Sequence, residues 1–167
     1  MIRSHCRPRC CRTCRSSGGF SLAEALVVLT LLGLMAALVI DSGRRQLAAV
    51  KVESAARRLG TLLEHSRERA EDRRQPLDLP LHGEEGLEAR VLEGDSSLRL
   101  HHTLPSQLRF TANGLAIDGG TVVIGSAGTD LRRCLVMSPP LGIVRVGRYH
   151  GDPGALASDA CLPDASL

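Results

Sequence analysis

An uninterrupted apolar run near the N-terminus constrains this chain more than any other feature. From Phe20 to Ile40 the sequence has 21 residues, and the only ionisable side chain among them is Glu24. As an α-helix with a rise of about 1.5 Å per residue, the run is roughly 31 Å long, which matches a bilayer core of about 30 Å. The run therefore predicts a single transmembrane helix over residues 20–40.

The basic residues before this helix predict its orientation. Residues 1–19 contain five arginines and no acidic residue: Arg3, Arg7, Arg9, Arg12 and Arg15. Positively charged segments are retained on the cytoplasmic side of a membrane. We therefore expect residues 1–19 in the cytoplasm and everything after Ile40 on the outer side.

Glu24 is the exception within the apolar run. A carboxylate in an apolar helix costs about 2.5–3.5 kcal/mol on insertion scales, so a charged partner and a function are expected. Cleavage after Gly19 would make Phe20 the first residue, and a new α-amino group is cationic below about pH 8. That amine could neutralise Glu24 of a neighbouring subunit, which makes Phe20 and Glu24 the expected assembly residues. The alternative is that Glu24 is a tolerated charge near the end of the helix, where water reaches it.

The segment from Gly19 to Leu29 resembles the class III signal of type IV prepilins and type II secretion pseudopilins. The shared features are a basic leader, a glycine, a phenylalanine, a glutamate at the fifth mature position and an apolar run. The resemblance implies that a prepilin peptidase cleaves between Gly19 and Phe20 and N-methylates Phe20. It also implies a single-pass protein of the inner membrane with its C-terminal domain in the periplasm.

This segment departs from the family pattern in two ways. Ser21 and Ala23 stand where threonine and a bulkier aliphatic residue are usual. No proline occurs at residues 41–43, so any bend in the helix would use Gly43. An ordinary secretory signal is the main alternative, but its apolar region is about 7–15 residues long and ends in a small-x-small site, which is missing here. An uncleaved membrane anchor is the other alternative.

The charge of the chain argues against a nucleic-acid-binding surface. The formal net charge of +3 depends on the leader, because the chain from Phe20 onward has 16 basic and 18 acidic residues, or −2. Residues 75–167 alone contain seven arginines and eleven acidic residues, or −4. Phosphate-binding domains are usually basic, and single-stranded bases stack on aromatic side chains, of which only Phe20, Phe110 and Tyr149 occur in this chain.

The six cysteines fall into two groups. Four crowd the leader and lack the second ligand pair of a common zinc finger, so we predict no metal site there: Cys6, Cys10, Cys11 and Cys14. Cys134 and Cys161 are the only thiols after the leader, and an oxidising periplasm favours a disulfide between them. Two free thiols are the alternative, since a sequence does not supply the geometry that a disulfide needs.

Beyond Ile40 the helical pattern continues to about residue 74 and becomes amphipathic over residues 41–75. Its apolar stripe recurs at steps of three and four residues: Leu47, Val50, Ala55, Leu59, Leu62, Leu63, Ser66 and Ala70. Gln75-Pro76 ends the helix because proline cannot continue it. A stripe of this length needs a sheet to pack against.

The sequence predicts a β-rich domain over residues 76–150 and a C-terminal tail over residues 151–167. Short runs with period-two alternation predict strands at 76–82, 87–93, 97–104, 108–112, 115–117, 121–124, 133–137 and 143–146. Asn113-Gly114 and Gly119-Gly120 are expected to supply positive φ angles for tight hairpins. The predicted fold class is α+β and pilin-like, with a long N-terminal helix, transmembrane and then amphipathic, packed on an antiparallel β-sheet or sandwich.

Four segments of the C-terminal half resemble the GspH/FimT group of this family, namely 108–114, 119–124, 132–138 and 142–146. The resemblance implies a minor pseudopilin of a type II secretion system. Its implied partners are the prepilin peptidase, other major and minor pseudopilins, the inner-membrane secretion platform and membrane lipid. The alternative is a FimT-like minor pilin of a type IV pilus with a role in DNA uptake. The resemblance links that role to a basic Gly-Arg-x-Arg element. The matching residues in this chain are Gly142-Ile143-Val144-Arg145, so the first arginine of the element is missing.

We find no catalytic constellation in the sequence. His101 and His102 lie in a predicted strand, so their side chains point to opposite faces and form a poor metal site. No serine lies in a nucleophile elbow, and the glycine-rich stretch at 125–129 lacks the lysine of a P-loop. The prediction is a structural protein without catalytic residues, metal or cofactor.

Overall fold

The computed structural model describes residues 21–164 of the chain. The leader up to Gly19, and Phe20 after it, lie outside the described residues. Within 21–164 the chain forms two helices and seven strands, in the order α1 (Leu22–Arg73), β1 (Leu77–Pro80), α2 (Leu87–Leu92), β2 (Leu98–His102), β3 (Gln107–Phe110), β4 (Gly120–Ser126), β5 (Thr129–Ser138), β6 (Ile143–Tyr149) and β7 (Cys161–Pro163). A long N-terminal helix followed by antiparallel sheets confirms the predicted α+β class.

The described part of the chain divides into two compact units, one ending at Val39 and the other beginning at Ile40. Helix α1 extends for 52 residues and passes through Gly43 without a break. Its end agrees with the predicted stop before Gln75-Pro76, and Arg74 leaves the helix with a positive φ of 50°.

The second half of α1 buries one stripe of side chains, but this stripe begins differently from the prediction. Its buried members follow at steps of mostly three or four residues: Ala48, Val52, Ala55, Ala56, Leu59, Leu63, Ser66 and Ala70. Leu47 and Val50 were expected on this stripe, yet they are 61% and 64% exposed. Ala48 and Val52 take their places because a stripe of 3.6-residue period that includes Ala55 and Leu59 passes through them.

The strands form two antiparallel sheets within the described residues. Strands β1 and β3 form a two-stranded sheet, and the five-stranded sheet has the order β2-β4-β5-β6-β7. Each strand from β4 to β7 follows its neighbour in the sequence, while β2 and β4 pair across the intervening β3.

Strands β4 and β5 contribute alternate residues to two hydrophobic cores, because successive side chains of a strand point to opposite faces. Val122 and Leu135 join the buried stripe of α1, together with residues of β1, α2 and β3, in the larger core. Val123 and Cys134 point the other way, into a smaller core with Tyr149. The five-stranded sheet is therefore covered on both faces.

The predicted strand at 87–93 is wrong, since residues Leu87–Leu92 form helix α2. Leu87 and Val91 lie four residues apart and are both fully buried, which is the spacing of one helix face. The alternation of apolar and polar residues that predicted a strand also fits this short helix. Glu93 ends the helix in a left-handed conformation.

Two further details differ from the sequence-based prediction. The predicted strand at 115–117 is reduced to one isolated bridge between Phe110 and Ala116. Gly114 has the expected positive φ of 72°, but Gly119 and Gly120 do not lie in that region. Gly119 is instead a close approach, because a Cβ there would lie 2.6 Å from the Met137 carbonyl oxygen.

Three residues of the segment predicted as a tail, Cys161–Pro163, form strand β7 of the five-stranded sheet. Strand β7 pairs with β6, with Gly147 opposite Pro163 and Tyr149 opposite Cys161. A Cβ at Gly147 would lie 2.2 Å from the Leu162 carbonyl oxygen, so β7 can approach β6 only because this residue is glycine.

Candidate functional site

The N-terminal segment of α1 contains the one ionisable group of the apolar run. Glu24 lies in the first turn of the helix, and the amide of Ala25 donates a hydrogen bond to the Ser21 carbonyl at 3.0 Å. A carboxylate is favourable at a helix N-terminus, where unpaired N–H groups leave a partial positive charge. Among residues 21–164 Glu24 forms no ion pair. The N-terminus of α1 therefore favours the charged form of this carboxylate.

The apolar side chains that follow Glu24 are exposed. Those with large exposed surfaces are Leu26, Val27, Val28, Leu29, Leu31, Leu32, Leu34, Met35, Val39 and Ile40. Within residues 21–164, α1 is the one helix that is long and apolar enough to cross a membrane. Thr30, a polar residue inside the run, donates its hydroxyl to the Val27 carbonyl at 2.8 Å. The segment thus satisfies its polar group internally and presents an apolar surface, as a membrane helix requires.

The predicted cleavage and methylation residues, Gly19 and Phe20, lie outside the described residues. The structure consequently gives no distance between Phe20 and Glu24. Their roles in processing and assembly stay predictions.

Cys134 and Cys161 form a disulfide that joins β5 to β7, with their Cα atoms 5.8 Å apart. Both residues are buried in the smaller core. The Tyr149 hydroxyl lies beside them and accepts a hydrogen bond from the Ala157 amide at 3.2 Å. It also lies 3.2 Å from the Asp152 carbonyl. These contacts hold the segment between β6 and β7 on the sheet.

An ion-pair network links α1 to the end of the described chain. Arg133 of β5 pairs with Glu53 of α1 and with Asp164. Burial opposes the charge of Arg133, but the hydrogen bonds to Asp164 and Glu53 outweigh it and raise the pKa of the guanidinium. Arg133 therefore stays charged and connects three parts of the domain.

The adjacent histidines His101 and His102 point to opposite faces of β2 and do not meet in one site. His101 is exposed and His102 is largely buried, in agreement with opposite faces of β2. His102 instead lies near His82 and Glu88, and one potential ligand atom of each residue lies within 4.8 Å of the other two. Sequence reasoning missed this cluster because residues 87–93 were assigned to a strand and no short-range spacing relates the three residues.

Residues 14–40 match the family described as "Prokaryotic N-terminal methylation motif". This motif supports a type IV pilin-like or pseudopilin protein, in agreement with the resemblance seen at Gly19–Leu29. It also implies processing by prepilin peptidase and assembly with other pilins. No curated protein matches the chain, and no solved structure matches it.

Proposed function

We propose that this chain is a minor pseudopilin of a type II secretion system. It would be a structural component of the periplasmic pseudopilus that drives protein export across the outer membrane. The observation that carries the proposal is the methylation motif over residues 14–40, which includes the exposed apolar part of α1 up to Ile40. The four GspH/FimT-like segments of the C-terminal half favour a minor over a major subunit.

In this proposal the apolar part of α1 anchors the chain in the inner membrane and later packs against the helices of other subunits. Its exposed leucine, valine and methionine side chains provide the contact surface in both settings. Glu24 sets the register, because it would pair with the methylated amine of Phe20 on an adjacent subunit. An ion pair in an apolar environment has few competing partners, so a shift along the helix axis would leave both charges unpaired.

The unit formed by residues 40–167 would lie in the periplasm and contact the secretion machinery. Two properties suit that place. The Cys134–Cys161 disulfide is stable in an oxidising compartment. The net charge of −4 over residues 75–167 favours protein partners over nucleic acid.

The proposal is tested by deleting the chain in its own cell and measuring the export of type II substrates and the uptake of DNA. We expect loss of export with unchanged uptake, and restoration of export by the wild-type chain. Chemical cross-linking should also recover the chain with other pseudopilins. Normal export together with lost DNA uptake would overturn the proposal.

Normal export with lost DNA uptake would favour a FimT-like minor pilin of a type IV pilus. The supporting observation is that Arg145 and Arg148 are both exposed on β6. Filter binding of DNA separates the two functions, with Arg145→Ala/Arg148→Ala as the matched variant. Tight binding at about 0.15 M salt that this variant abolishes would support the uptake function.

A further inference from the structure

Three side chains from separate parts of the chain meet beside the edge strand of the five-stranded sheet. His82 lies in the turn after β1, Glu88 lies in the first turn of α2, and His102 is the last residue of β2. His82 Nδ1 is 2.9 Å from Glu88 Oε2, and His102 Nε2 is 3.5 Å from Glu88 Oε1. The two imidazole rings have their centroids 5.8 Å apart. The carboxylate therefore lies between two imidazoles.

The backbone holds His82 and Glu88 together before any ligand binds. The Glu88 amide donates to the Leu81 carbonyl at 3.1 Å, which fixes the first turn of α2 against the turn that contains His82. The Gly86 amide closes the same turn by donating to the Gly83 carbonyl at 3.1 Å. A Cβ at Gly86 would lie 2.6 Å from the carbonyl of His82, so this approach requires glycine.

His102 is held equally firmly on the sheet. It pairs with Val122 of β4, and the next residue, Thr103, donates its amide to the Thr121 carbonyl at 2.9 Å. The His102 side chain is only 19% exposed, and its Nδ1 is buried without a hydrogen-bond partner among the described residues. The ring nitrogen that faces Glu88 is Nε2, so this imidazole offers Nε2 as the ligand atom while its Nδ1 points into the protein.

Two imidazole nitrogens and one carboxylate oxygen form a recognised ligand set for zinc. Sites with this set bind the ion through three protein ligands at about 2.0–2.2 Å and leave a fourth position open to water. Tetrahedral geometry with those bond lengths separates the ligand atoms by about 3.3 Å. The ligand atoms here already lie within 4.8 Å of one another, and the exposed His82 can move toward the other two. Calcium and magnesium need six or more oxygen ligands, so this set disfavours them.

We propose that His82, Glu88 and His102 bind a divalent transition-metal ion, with zinc as the expected occupant. The ion connects the β1–α2 turn, helix α2 and the edge strand β2, which otherwise meet through hydrogen bonds and apolar contacts. The bound ion holds α2 beside an edge strand whose free backbone groups could pair with another chain. The proposal does not depend on the function proposed above.

The test measures zinc binding by the full-length chain in detergent. The four leader cysteines are replaced by serine in every sample, so that they cannot contribute zinc ligands. We expect one zinc ion per chain after dialysis, by elemental analysis. At zinc concentrations of about 100 times Kd, the unfolding midpoint should rise by about 5–10 °C relative to a sample with EDTA.

His82→Ala is the primary variant, because the His82 side chain is 62% exposed and its removal leaves the core intact. His101→Ala is the matched control, since His101 neighbours His102 but is exposed on the other face of β2. We expect His82→Ala and His102→Ala to lose both the bound zinc and the shift in the midpoint, while His101→Ala keeps both. Zinc binding that is absent from the wild-type chain, or equal in His82→Ala and His101→Ala, would overturn the proposal.

Discussion

Glu24 is the residue on which assembly is expected to depend. It occupies the first turn of α1 and forms no ion pair among residues 21–164. We predict that Glu24→Ala leaves cleavage after Gly19 largely intact and weakens assembly, because the α-amino group of Phe20 on a neighbouring subunit would lose the carboxylate proposed to pair with it. Cleavage is measured by intact mass, and assembly by cross-linking in the membrane.

Two further variants separate the charge of Glu24 from its size and position. Glu24→Gln keeps the shape of the side chain, so it should fail in the same way as Glu24→Ala. Asp41→Ala removes another carboxylate from α1, one that pairs with Arg45 at the exposed surface, and should assemble normally. Normal assembly of Glu24→Gln would exclude the charge pairing.

Asp118 gives a prediction for the pH dependence of stability. Arg109 donates two side-chain hydrogen bonds of 2.9 Å to this carboxylate and lowers its pKa. A carboxyl whose pKa is lower in the folded state stabilises the fold above the unfolded pKa of about 3.9, and this contribution is lost as the pH falls toward the folded value. We predict that stability falls below about pH 4 and that Asp118→Asn reduces this fall.

The fall is measured by urea unfolding between about pH 2 and pH 6. Arg109→Ala should have the same effect as Asp118→Asn, since it removes the group that lowers the pKa. The double variant should add nothing to either single change, because both remove the same interaction. An undiminished pH dependence in Asp118→Asn would contradict the assignment. Asp95, held by Lys51 and Ser97, also has a lowered pKa and contributes in the same range.

Helix α1 offers two leucines with opposite surroundings. Leu59 is fully buried in the larger core, whereas Leu47 is 61% exposed. We predict that Leu59→Ala lowers the free energy of unfolding by about 2–5 kcal/mol, because it removes buried methyl groups and leaves a cavity. Leu47→Ala should change it by about 0.5 kcal/mol or less.

Unfolding of both variants is followed by circular dichroism in mild detergent, because the chain has no tryptophan whose fluorescence could be measured. Equal effects of the two substitutions would mean that the buried stripe of α1 is placed wrongly. The stripe predicted from the sequence contains both leucines, so comparable large losses in the two variants would support that prediction instead.

Because a disulfide joins β5 to β7, the stability of the fold should depend on reducing agent. Cys134 and Cys161 are 27 residues apart in the sequence, and a loop of that length corresponds to about 3–4 kcal/mol in the chain-entropy account of disulfides. We predict that dithiothreitol lowers the unfolding midpoint of the wild-type chain. The double variant Cys134→Ala/Cys161→Ala should start from a lower midpoint and show no response.

The leader cysteines are replaced by serine for this comparison. Thiol titration of the unreduced chain should then detect no free thiol. Two free thiols, or the same response to reducing agent in both proteins, would support the alternative of unpaired cysteines.

At the scale of the whole molecule, cleavage after Gly19 would change the charge of the chain. Removal of residues 1–19 takes away five arginines and no acidic residue, so the formal net charge changes from +3 to −2. We predict that protein extracted from membranes begins at a methylated Phe20 and focuses at an acidic pH. In cells that lack prepilin peptidase it should retain the leader and focus at a basic pH. A chain that keeps residues 1–19 when the peptidase is present would contradict the pilin-like interpretation.

The structure differs from the sequence-based prediction mainly where chain segments far apart in sequence meet. The helix stop near Gln75 and the turn at Gly114 were predicted because proline and glycine act on their own backbone. Strand β7 was missed because Cys161–Pro163 is only three residues long and is a strand only through pairing with β6. Helix α2 was missed because six residues provide less than two helical turns of periodicity.

The sequence by itself determined the N-terminal apolar segment of this protein. A helix over the apolar run, its processing motif and its isolated Glu24 depend on residue types within about 30 consecutive positions, where length and hydropathy decide the outcome. The tertiary structure alone decided which side chains of α1 are buried, how β4 and β5 serve two cores, and how His82, Glu88 and His102 meet. Those features depend on contacts between distant segments, and no local pattern of residues encodes such contacts.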